Sequence, residues 1–280
     1  MKQQSKIFVC TLILLLSSCG SSINSSTPLV DTSTNSSNTE STIYTTSNTS
    51  ISTANKDLDF ITTSDGLLVN GRGNCVDKNI IIPSDIDGKP VISIVAEAFK
   101  NDIALESITL PDSLTLIERE AFSGCNSLKE VFVGSNLKEI GYGAFYWCTS
   151  LKNITLPNTL ENIGQIAFFD SGLYRSANSW DNGIFYIDQY IIDGGKAEGV
   201  CNIKEGVRGV ADAAFYNNSQ ITELTLPTTI NFLGKMSLTY LSNMQKLTIG
   251  KNLVPDIYIR NNFVIDTTFV DESLVRYIRK

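Results

Sequence analysis

Histidine is absent from this chain of 280 residues, and its absence removes several kinds of active site. Ser-His-Asp and Cys-His sites use an imidazole to activate the nucleophile, and most zinc sites include histidine ligands. Paired carboxylates could still hydrolyse glycosides, but Glu118 and Glu120 flank Arg119 on an expected solvated turn. No glycine-rich phosphate loop follows a predicted strand. We therefore predict a protein that is not an enzyme and that binds no metal or cofactor.

Positive charge is also scarce, with 22 lysines and arginines against 29 acidic residues and a net charge of −7. Nucleic-acid binding relies on clustered basic residues that neutralise phosphates, so we exclude a nucleic acid as the partner. The one long apolar run, residues 7–16, is interrupted by Thr11 and is too short to cross a bilayer.

This apolar run is typical of a secretory signal. Lys2 and Lys6 precede it, and Leu16-Ser17-Ser18-Cys19 follows it. These four residues look like a bacterial lipobox, in which Cys19 becomes the lipid-modified first residue of the mature chain. The alternative is an ordinary secretory signal with an incidental cysteine. We predict a signal peptide at 1–18, lipid attachment at Cys19 and a lipoprotein anchored outside the cytoplasm, at the cell surface rather than facing the periplasm.

Residues 19–56 are predicted to be a disordered tether between the lipid and the folded domain. Of the 37 residues from 20 to 56, 25 are Ser, Thr or Asn. Such a segment has too little apolar surface to offset the entropy of folding. As a random coil it would span about 30–36 Å on average. We therefore expect the folded domain, residues 57–280, to be held away from the membrane.

Ala-Phe pairs recur at intervals of 23 residues and define the organisation of this domain. One 23-residue unit has too few apolar side chains to fold alone, whereas stacked units bury one continuous core. The pairs are Ala98-Phe99, Ala121-Phe122, Ala144-Phe145 and Ala167-Phe168. The repeat therefore predicts a solenoid in which each unit is one rung.

The apolar spacing within a unit predicts two short strands and a turn. Ile108 and Leu110 alternate with Thr109, which predicts a strand with Thr109 facing outward. Pro111 ends this strand, because proline has no backbone donor. A second extended piece follows over residues 114–117. The Ala-Phe pair then forms a tight turn, with the Phe ring filling the middle of the coil.

The repeat resembles the BspA-like leucine-rich repeats of mostly bacterial surface proteins. Their pattern, Leu-x-x-Ile-x-Leu-Pro-x-x-Leu-x-x-Ile-Gly-x-x-Ala-Phe-x-x-Cys, is matched by residues 128–148, with Val133-Gly134 replacing Leu-Pro, and by residues 151–168. The resemblance extends over about residues 59–280. It implies a curved, mainly β solenoid with a parallel sheet along one face. It also implies a partner such as a host protein, a matrix component or another cell-surface molecule.

The ends and the middle of the domain depart from the strict repeat. Residues 57–97 predict an N-terminal cap and first rung, with a hairpin at Asp65-Gly66. Residues 169–200 predict an irregular insert with a second hairpin around Asp188-Gln189. Residues 250–280 predict degenerate rungs and a C-terminal cap that includes a short helix.

Cys125 and Cys148 are 23 residues apart and are therefore expected about 5 Å from each other on neighbouring rungs. Three interpretations are open for them: a disulfide, a pair of metal ligands, or a ladder of small buried side chains that Ser171 and Asn218 continue. Two cysteines alone make a poor zinc site, because closed sites need four ligands.

The outward strand positions form the predicted binding face, because a solenoid presents such rows as one extended surface. Thr is also simply a favourable strand residue, whereas an exposed Phe often marks a contact. The predicted face consists of Thr109, Glu130, Phe132, Asn153, Thr155, Glu223, Thr225 and Thr248.

The insert is the most aromatic stretch and provides a second candidate site. Its rings could bind a sugar or a protein, or could simply pack the irregular rung. The predicted aromatic patch consists of Tyr174, Trp180, Tyr186 and Tyr190.

Three functions are consistent with these features. The first is a lipid-anchored, non-catalytic scaffold that binds an extracellular or envelope protein, or a glycan, in adhesion. The second is a structural envelope lipoprotein without a specific ligand. The third is a carbohydrate-binding or glycan-processing protein. Repeat scaffolds serve many partners, so the sequence alone favours the first without identifying its ligand.

Overall fold

The computed structural model describes residues 54–55 and 57–249, together with the backbone of 264–266. These residues form a β solenoid with very little helix, as the repeat predicts. The predicted signal peptide, Cys19, most of the tether and the predicted C-terminal helix lie outside the described residues.

Two parallel sheets run along the N-terminal rungs. One has the strand order β1-β2-β5-β7-β9-β11 and the other β10-β8-β6-β3. The second extended piece of each rung therefore also pairs with the equivalent piece of the neighbouring rungs. The structure thus has two sheets along these rungs, where the sequence predicted one. The strands are β1 (Asp59–Thr62), β2 (Leu67–Gly71), β3 (Asn79–Ile81), β4 (Asp85–Ile86), β5 (Lys89–Ile94), β6 (Ser107–Thr109), β7 (Leu116–Ile117), β8 (Glu130–Phe132), β9 (Glu139–Ile140), β10 (Asn153–Ile154) and β11 (Asn162–Ile163).

The predicted N-terminal hairpin cap is confirmed. β1 pairs antiparallel with β2 across the Asp65-Gly66 turn, and β4 pairs antiparallel with β5 across a second turn. Asn55, which we assigned to the tether, exchanges hydrogen bonds with Ile81 in β3: its N–H donates to the Ile81 carbonyl at 2.8 Å, and its side chain accepts from Ile81 N at 2.6 Å. The folded domain therefore begins before residue 57.

The insert forms an irregular double rung that contains a hairpin at Asp188-Gln189. It begins with the one-turn helix α1 (Gly172–Arg175) and a 3-10 turn at Ala177–Ser179, and its hairpin pairs β13 with β14 on either side of Asp188. Two new sheets follow, with orders β12-β13-β14-β16-β18 and β15-β17-β19-β20. Their strands are β12 (Trp180–Asp181), β13 (Ile184–Ile187), β14 (Tyr190–Asp193), β15 (Gly199–Asn202), β16 (Gly209–Val210), β17 (Ile221–Thr225), β18 (Phe232–Leu233), β19 (Lys246–Thr248) and β20 (Val264–Asp266).

A stack of phenylalanine rings fills the coil of the N-terminal rungs. The rings of Phe99, Phe122, Phe145 and Phe168 lie with successive centroids 5.3, 5.2 and 5.1 Å apart and nearly parallel planes. All four side chains are buried. The turns that hold them are linked as well, since Phe122 N donates to the Ala144 carbonyl at 2.8 Å. The Ala-Phe pair therefore acts as the unit that stacks one rung on the next.

Each rung turns its corners at left-handed backbone positions. The first comes one residue before the Ala-Phe pair and the second comes two residues after it. Glycine, asparagine and aspartate tolerate this conformation best, and they occupy many of the second positions. The first set is Glu97, Glu120, Gly143, Ile166, Ala213 and Met236, and the second is Asn101, Gly124, Trp147, Asp170, Asn217 and Tyr240.

Candidate functional site

The register brings the predicted binding face together in two groups. In the N-terminal group Thr109 lies opposite Phe132, and Glu130 lies opposite Asn153, with Thr155 just after β10. In the C-terminal group Glu223 lies opposite Lys246, and Thr225 lies opposite Thr248. The two groups belong to different parallel sheets, because the double rung interrupts the face. The residues of each group therefore lie side by side on neighbouring strands, but among the described residues the two groups do not share one uninterrupted sheet.

Phe132 stands out on the N-terminal group. Its side chain is 54% exposed, although the same position on neighbouring rungs is occupied by Thr109 and Thr155. The next two residues also depart from the repeat, since Val133-Gly134 replaces Leu-Pro. A cavity of about 460 Å³ lies at this point. Three consecutive departures from the repeat therefore coincide with a depression in an otherwise regular face.

The cavity is lined by both apolar and polar residues. Apolar groups from Phe132, Val133, Ile154 and Pro157 line it, and Asp112, Ser135, Asn153 and Thr155 lie among them. Ser135 donates to Asp112 Oδ1 through its backbone N at 2.7 Å and its hydroxyl at 2.9 Å, which lowers the pKa of Asp112. Asn153 donates to Glu130 at 2.8 Å. This arrangement suits an apolar side chain surrounded by hydrogen-bonding groups.

The predicted aromatic patch does not form one accessible surface. Tyr190 is buried, its hydroxyl donates to the Pro157 carbonyl at 2.7 Å, and its ring packs on Phe232. The assignment of Tyr190 to a ligand-binding patch is therefore wrong. The hairpin register turns this residue of β14 towards the core, where its ring helps to close the irregular rung.

Of the other three members of the aromatic patch, Trp180 packs against Tyr174, and both Trp180 and Tyr186 lie beside a lysine. Trp180 Nε1 donates to the Tyr174 carbonyl at 2.7 Å, and the two rings meet edge to face with centroids 5.0 Å apart. Lys196 Nζ lies 3.8 Å from the Trp180 ring centroid, and Lys204 Nζ lies 4.2 Å from that of Tyr186. Burial raises the pKa of Tyr186 to about 12. These contacts support the packing interpretation for Trp180 and Tyr186.

Sequence reasoning missed a second set of exposed aromatic side chains at the turns. Each lies within two residues of an Ala-Phe pair or its equivalent, on the part of the rung that strand alternation does not describe. For Trp147 and Tyr240 the available signal was an aromatic residue at a corner where other rungs have Gly, Asn or Asp. The turn aromatics are Tyr142, Trp147, Phe169, Tyr216 and Tyr240.

Trp147 is held in place despite an unfavourable backbone. Its φ is 58°, a left-handed value that costs a bulky residue about 1–2 kcal/mol, and its side chain is 50% exposed. Its Nε1 donates to Asp170 at 3.0 Å, and its ring stacks on Tyr146 with centroids 5.5 Å apart. Because exposed apolar rings often mark contacts, we treat the turn aromatics as candidate functional residues.

Cys125 and Cys148 form no disulfide, and both side chains are buried. Ser171 and Asn218, which occupy the same position on later rungs, are buried as well. The two thiols donate to backbone carbonyls of the preceding rung, Phe99 at 3.0 Å and Phe122 at 3.1 Å. Of the three interpretations, the structure therefore supports the ladder of small buried side chains.

The described residues hold no group of three potential metal ligands. None of the helices among them is long and apolar enough to cross a membrane.

We expect Cys125 and Cys148 to resist alkylation in the native chain. Burial raises the pKa of Cys125 to about 12 and that of Cys148 well above its usual range, so little reactive thiolate exists at pH 8. Iodoacetamide should modify both at least about 100-fold more slowly than in denaturant, where the pKa returns to about 8.5. Peptide mass mapping checks this, and equal rates in the two states would contradict the burial.

A family model described as "BspA type Leucine rich repeat region" matches residues 74–197 and 179–264, with six copies. No curated protein matches the chain. The family match therefore covers both regular parts of the solenoid and the insert between them.

Several solved bacterial structures are similar to this chain. The T. pallidum leucine-rich repeat protein is 18% identical, with 69% of each chain covered and a TM-score of 0.33. A leucine-rich repeat protein from Bacteroides capillosus ATCC 29799 is 30% identical over 43% of this chain and 91% of the other, with a TM-score of 0.39. A leucine-rich cell surface protein from Faecalibacterium prausnitzii A2-165 is 20% identical over 69% and 53%, with a TM-score of 0.41.

Proposed function

Because this chain belongs to the BspA-type leucine-rich repeat family, we propose that it is a lipid-anchored, non-catalytic scaffold that binds a protein outside the cytoplasm. The observation that carries the proposal is the cavity beside Phe132 on the N-terminal group of the binding face. The lipobox at Cys19 and the polar tether support an anchored position, and adhesion to a host or neighbouring cell surface is the role that such a position favours.

The chemistry beside Phe132 matches the anatomy of a protein interface. Interfaces place aromatic and aliphatic side chains at a desolvated centre and hydrogen-bonding groups at the rim. Phe132 and Val133 supply apolar side chains here, and Asp112, Ser135 and Asn153 supply hydrogen-bonding groups. Glu106 adds charge beside the same sheet, with Lys78 Nζ at 3.1 Å and Lys129 Nζ at 2.6 Å. A partner that presents one apolar side chain within a polar surround would fit this surface.

We expect Phe132→Thr to weaken partner binding strongly without destabilising the fold. Threonine already occupies this position on neighbouring rungs, so the free energy of unfolding should change by no more than about 0.5 kcal/mol. Loss of a central aromatic contact typically weakens binding by at least about 2 kcal/mol, or roughly 30-fold. Binding of the full chain to host and neighbour-cell surfaces, followed by isolation of the cross-linked partner, measures the effect.

Two matched variants make this test specific. Phe132→Tyr keeps the ring and should retain the partner. Ile103→Thr removes an apolar side chain that is 70% exposed elsewhere and should also retain it. If Phe132→Thr binds as well as the unmodified chain, this face does not hold the partner. If no surface retains the chain at all, the structural envelope role replaces the scaffold role.

The location is tested separately by protease treatment of intact cells. Loss of the folded domain on treatment would support exposure at the outer surface. Protection of the domain would contradict adhesion and direct the search for a partner to the interior of the envelope.

A further inference from the structure

A smaller cavity of about 210 Å³ lies near the turn aromatics and shares no lining residue with the cavity beside Phe132. Three aromatic side chains line it: Phe169, Tyr174 and Tyr216. Two carboxylates, Asp193 and Asp212, line it as well. Its volume is below the roughly 300–1,000 Å³ of pockets for drug-sized ligands, so it fits one small group rather than a large molecule.

The charge of this cavity is unbalanced. No lysine or arginine is among its described lining residues, and neither aspartate takes part in an ion pair of the described chain. Asp193 accepts from Gly195 N at 2.6 Å and from the Tyr174 hydroxyl at 3.0 Å. Asp212 Oδ1 accepts from Lys235 N at 2.6 Å. Both carboxylates are thus positioned by hydrogen bonds, and neither has a cationic side chain within ion-pair distance among the described residues.

Burial makes the ionised form of Asp212 less favourable. Burial raises the pKa of its carboxyl, although the backbone N–H and the charge of Lys235 act in the opposite direction. A cationic ligand beside it would stabilise the ionised form and recover that cost.

Aromatic rings of this segment already lie close to a cationic side chain. Lys196 Nζ lies 5.7 Å from the Tyr174 ring centroid and 3.8 Å from that of Trp180. The Tyr174 and Phe169 centroids are 4.8 Å apart, so the rings form a compact wall. Aromatic rings together with carboxylates bind ammonium groups through the ring quadrupole and through charge. The same carboxylates would repel phosphate and other anions.

We propose that this cavity, lined by Phe169, Tyr174, Tyr216, Asp193 and Asp212, binds an alkylammonium group. The group could belong to a free amine or to a lysine side chain of a protein, and the two sources share the same chemistry. The proposal is independent of the protein partner beside Phe132, because the two cavities have separate linings.

The test uses the full chain and saturation-transfer NMR titrations with n-butylammonium and its neutral counterpart n-butanol. We expect n-butylammonium to bind at least about tenfold more tightly. Asp212→Asn keeps the oxygen that Lys235 N needs but removes the charge, and should weaken n-butylammonium about tenfold. Tyr216→Ala should weaken it similarly. Glu205→Gln and Tyr142→Ala, which change an exposed carboxylate and an exposed ring outside the cavity, should leave its affinity unchanged.

The source of the group is identified with an acetylated peptide that contains one lysine and with its norleucine counterpart. Displacement of n-butylammonium by the lysine peptide alone supports a protein side chain as the ligand, and absence of displacement supports a free amine. Equal binding of n-butanol and n-butylammonium would overturn the proposal, as would an unchanged affinity in Asp212→Asn. Phe132→Thr should bind n-butylammonium normally, which separates this result from that for the binding face.

Discussion

Replacing Phe145 with alanine is expected to lower the free energy of unfolding by about 3–5 kcal/mol. Phe145 is fully buried and lies between Phe122 and Phe168, with ring centroids 5.2 and 5.1 Å away. Alanine would therefore lose two stacking contacts and leave a cavity that the neighbouring rungs cannot fill without giving up their own spacing. Urea unfolding of the full chain measures the change.

Phe132→Ala is the matched control for this experiment. It removes the same ring from an adjacent part of the solenoid where the side chain is exposed, and should change the free energy of unfolding by less than about 1 kcal/mol. Similar losses for the two variants would show that the Phe stack is not the main stabilising feature of these rungs. A loss near zero for Phe145→Ala would mean that the assigned register is wrong.

Tyr190→Ala is expected to destabilise the chain by a comparable amount, about 3–5 kcal/mol. Tyr190 is among the largest fully buried side chains, and it joins the double rung to the preceding rung through its hydrogen bond to Pro157. Alanine would remove both the ring and the hydroxyl from the point where the regular stack is interrupted. Thermal and urea unfolding both report the loss.

Tyr190→Phe separates the two contributions. It keeps the ring but removes the hydroxyl that donates to the Pro157 carbonyl, and should cost about 0.5–1.5 kcal/mol. If Tyr190 belonged to a ligand-binding patch, Tyr190→Ala would alter binding and leave stability unchanged. That result would contradict the buried position described above.

The repeat made most of the fold predictable from sequence. Because each rung has an equivalent on either side, a residue such as Phe145 is surrounded by copies of itself, and its burial follows from the period alone. Alternation within a strand likewise indicated that Phe132 faces outward. The pairing of the second extended pieces into a parallel sheet was not predicted, because two-residue strands such as β9 carry too little pattern.

The error at Tyr190 falls where the repeat gives no equivalent residue. Tyr190 lies in the irregular double rung, so no neighbouring copy fixed the side of the strand on which it lies. The turn aromatics were missed for a different reason. Strand alternation does not describe corners, and the left-handed backbone of Trp147 depends on how the chain turns rather than on hydrophobic spacing. The carboxylates Asp193 and Asp212 are brought together only by the fold.

The interruption of both parallel sheets has a consequence for cooperativity. In a repeat stack, stability is the sum of the rung energies and of the interfaces between neighbouring rungs. Between β11 and β14 the regular ladder is replaced by single contacts, such as Leu156 N to Asp188 Oδ2 at 2.7 Å and Asp212 N to the Ile163 carbonyl at 2.8 Å. This interface therefore lacks the continuous ladder of backbone hydrogen bonds that joins the regular rungs. The solenoid should therefore open as two cooperative blocks, with amide exchange on one side of the double rung governed by a different opening free energy from that on the other.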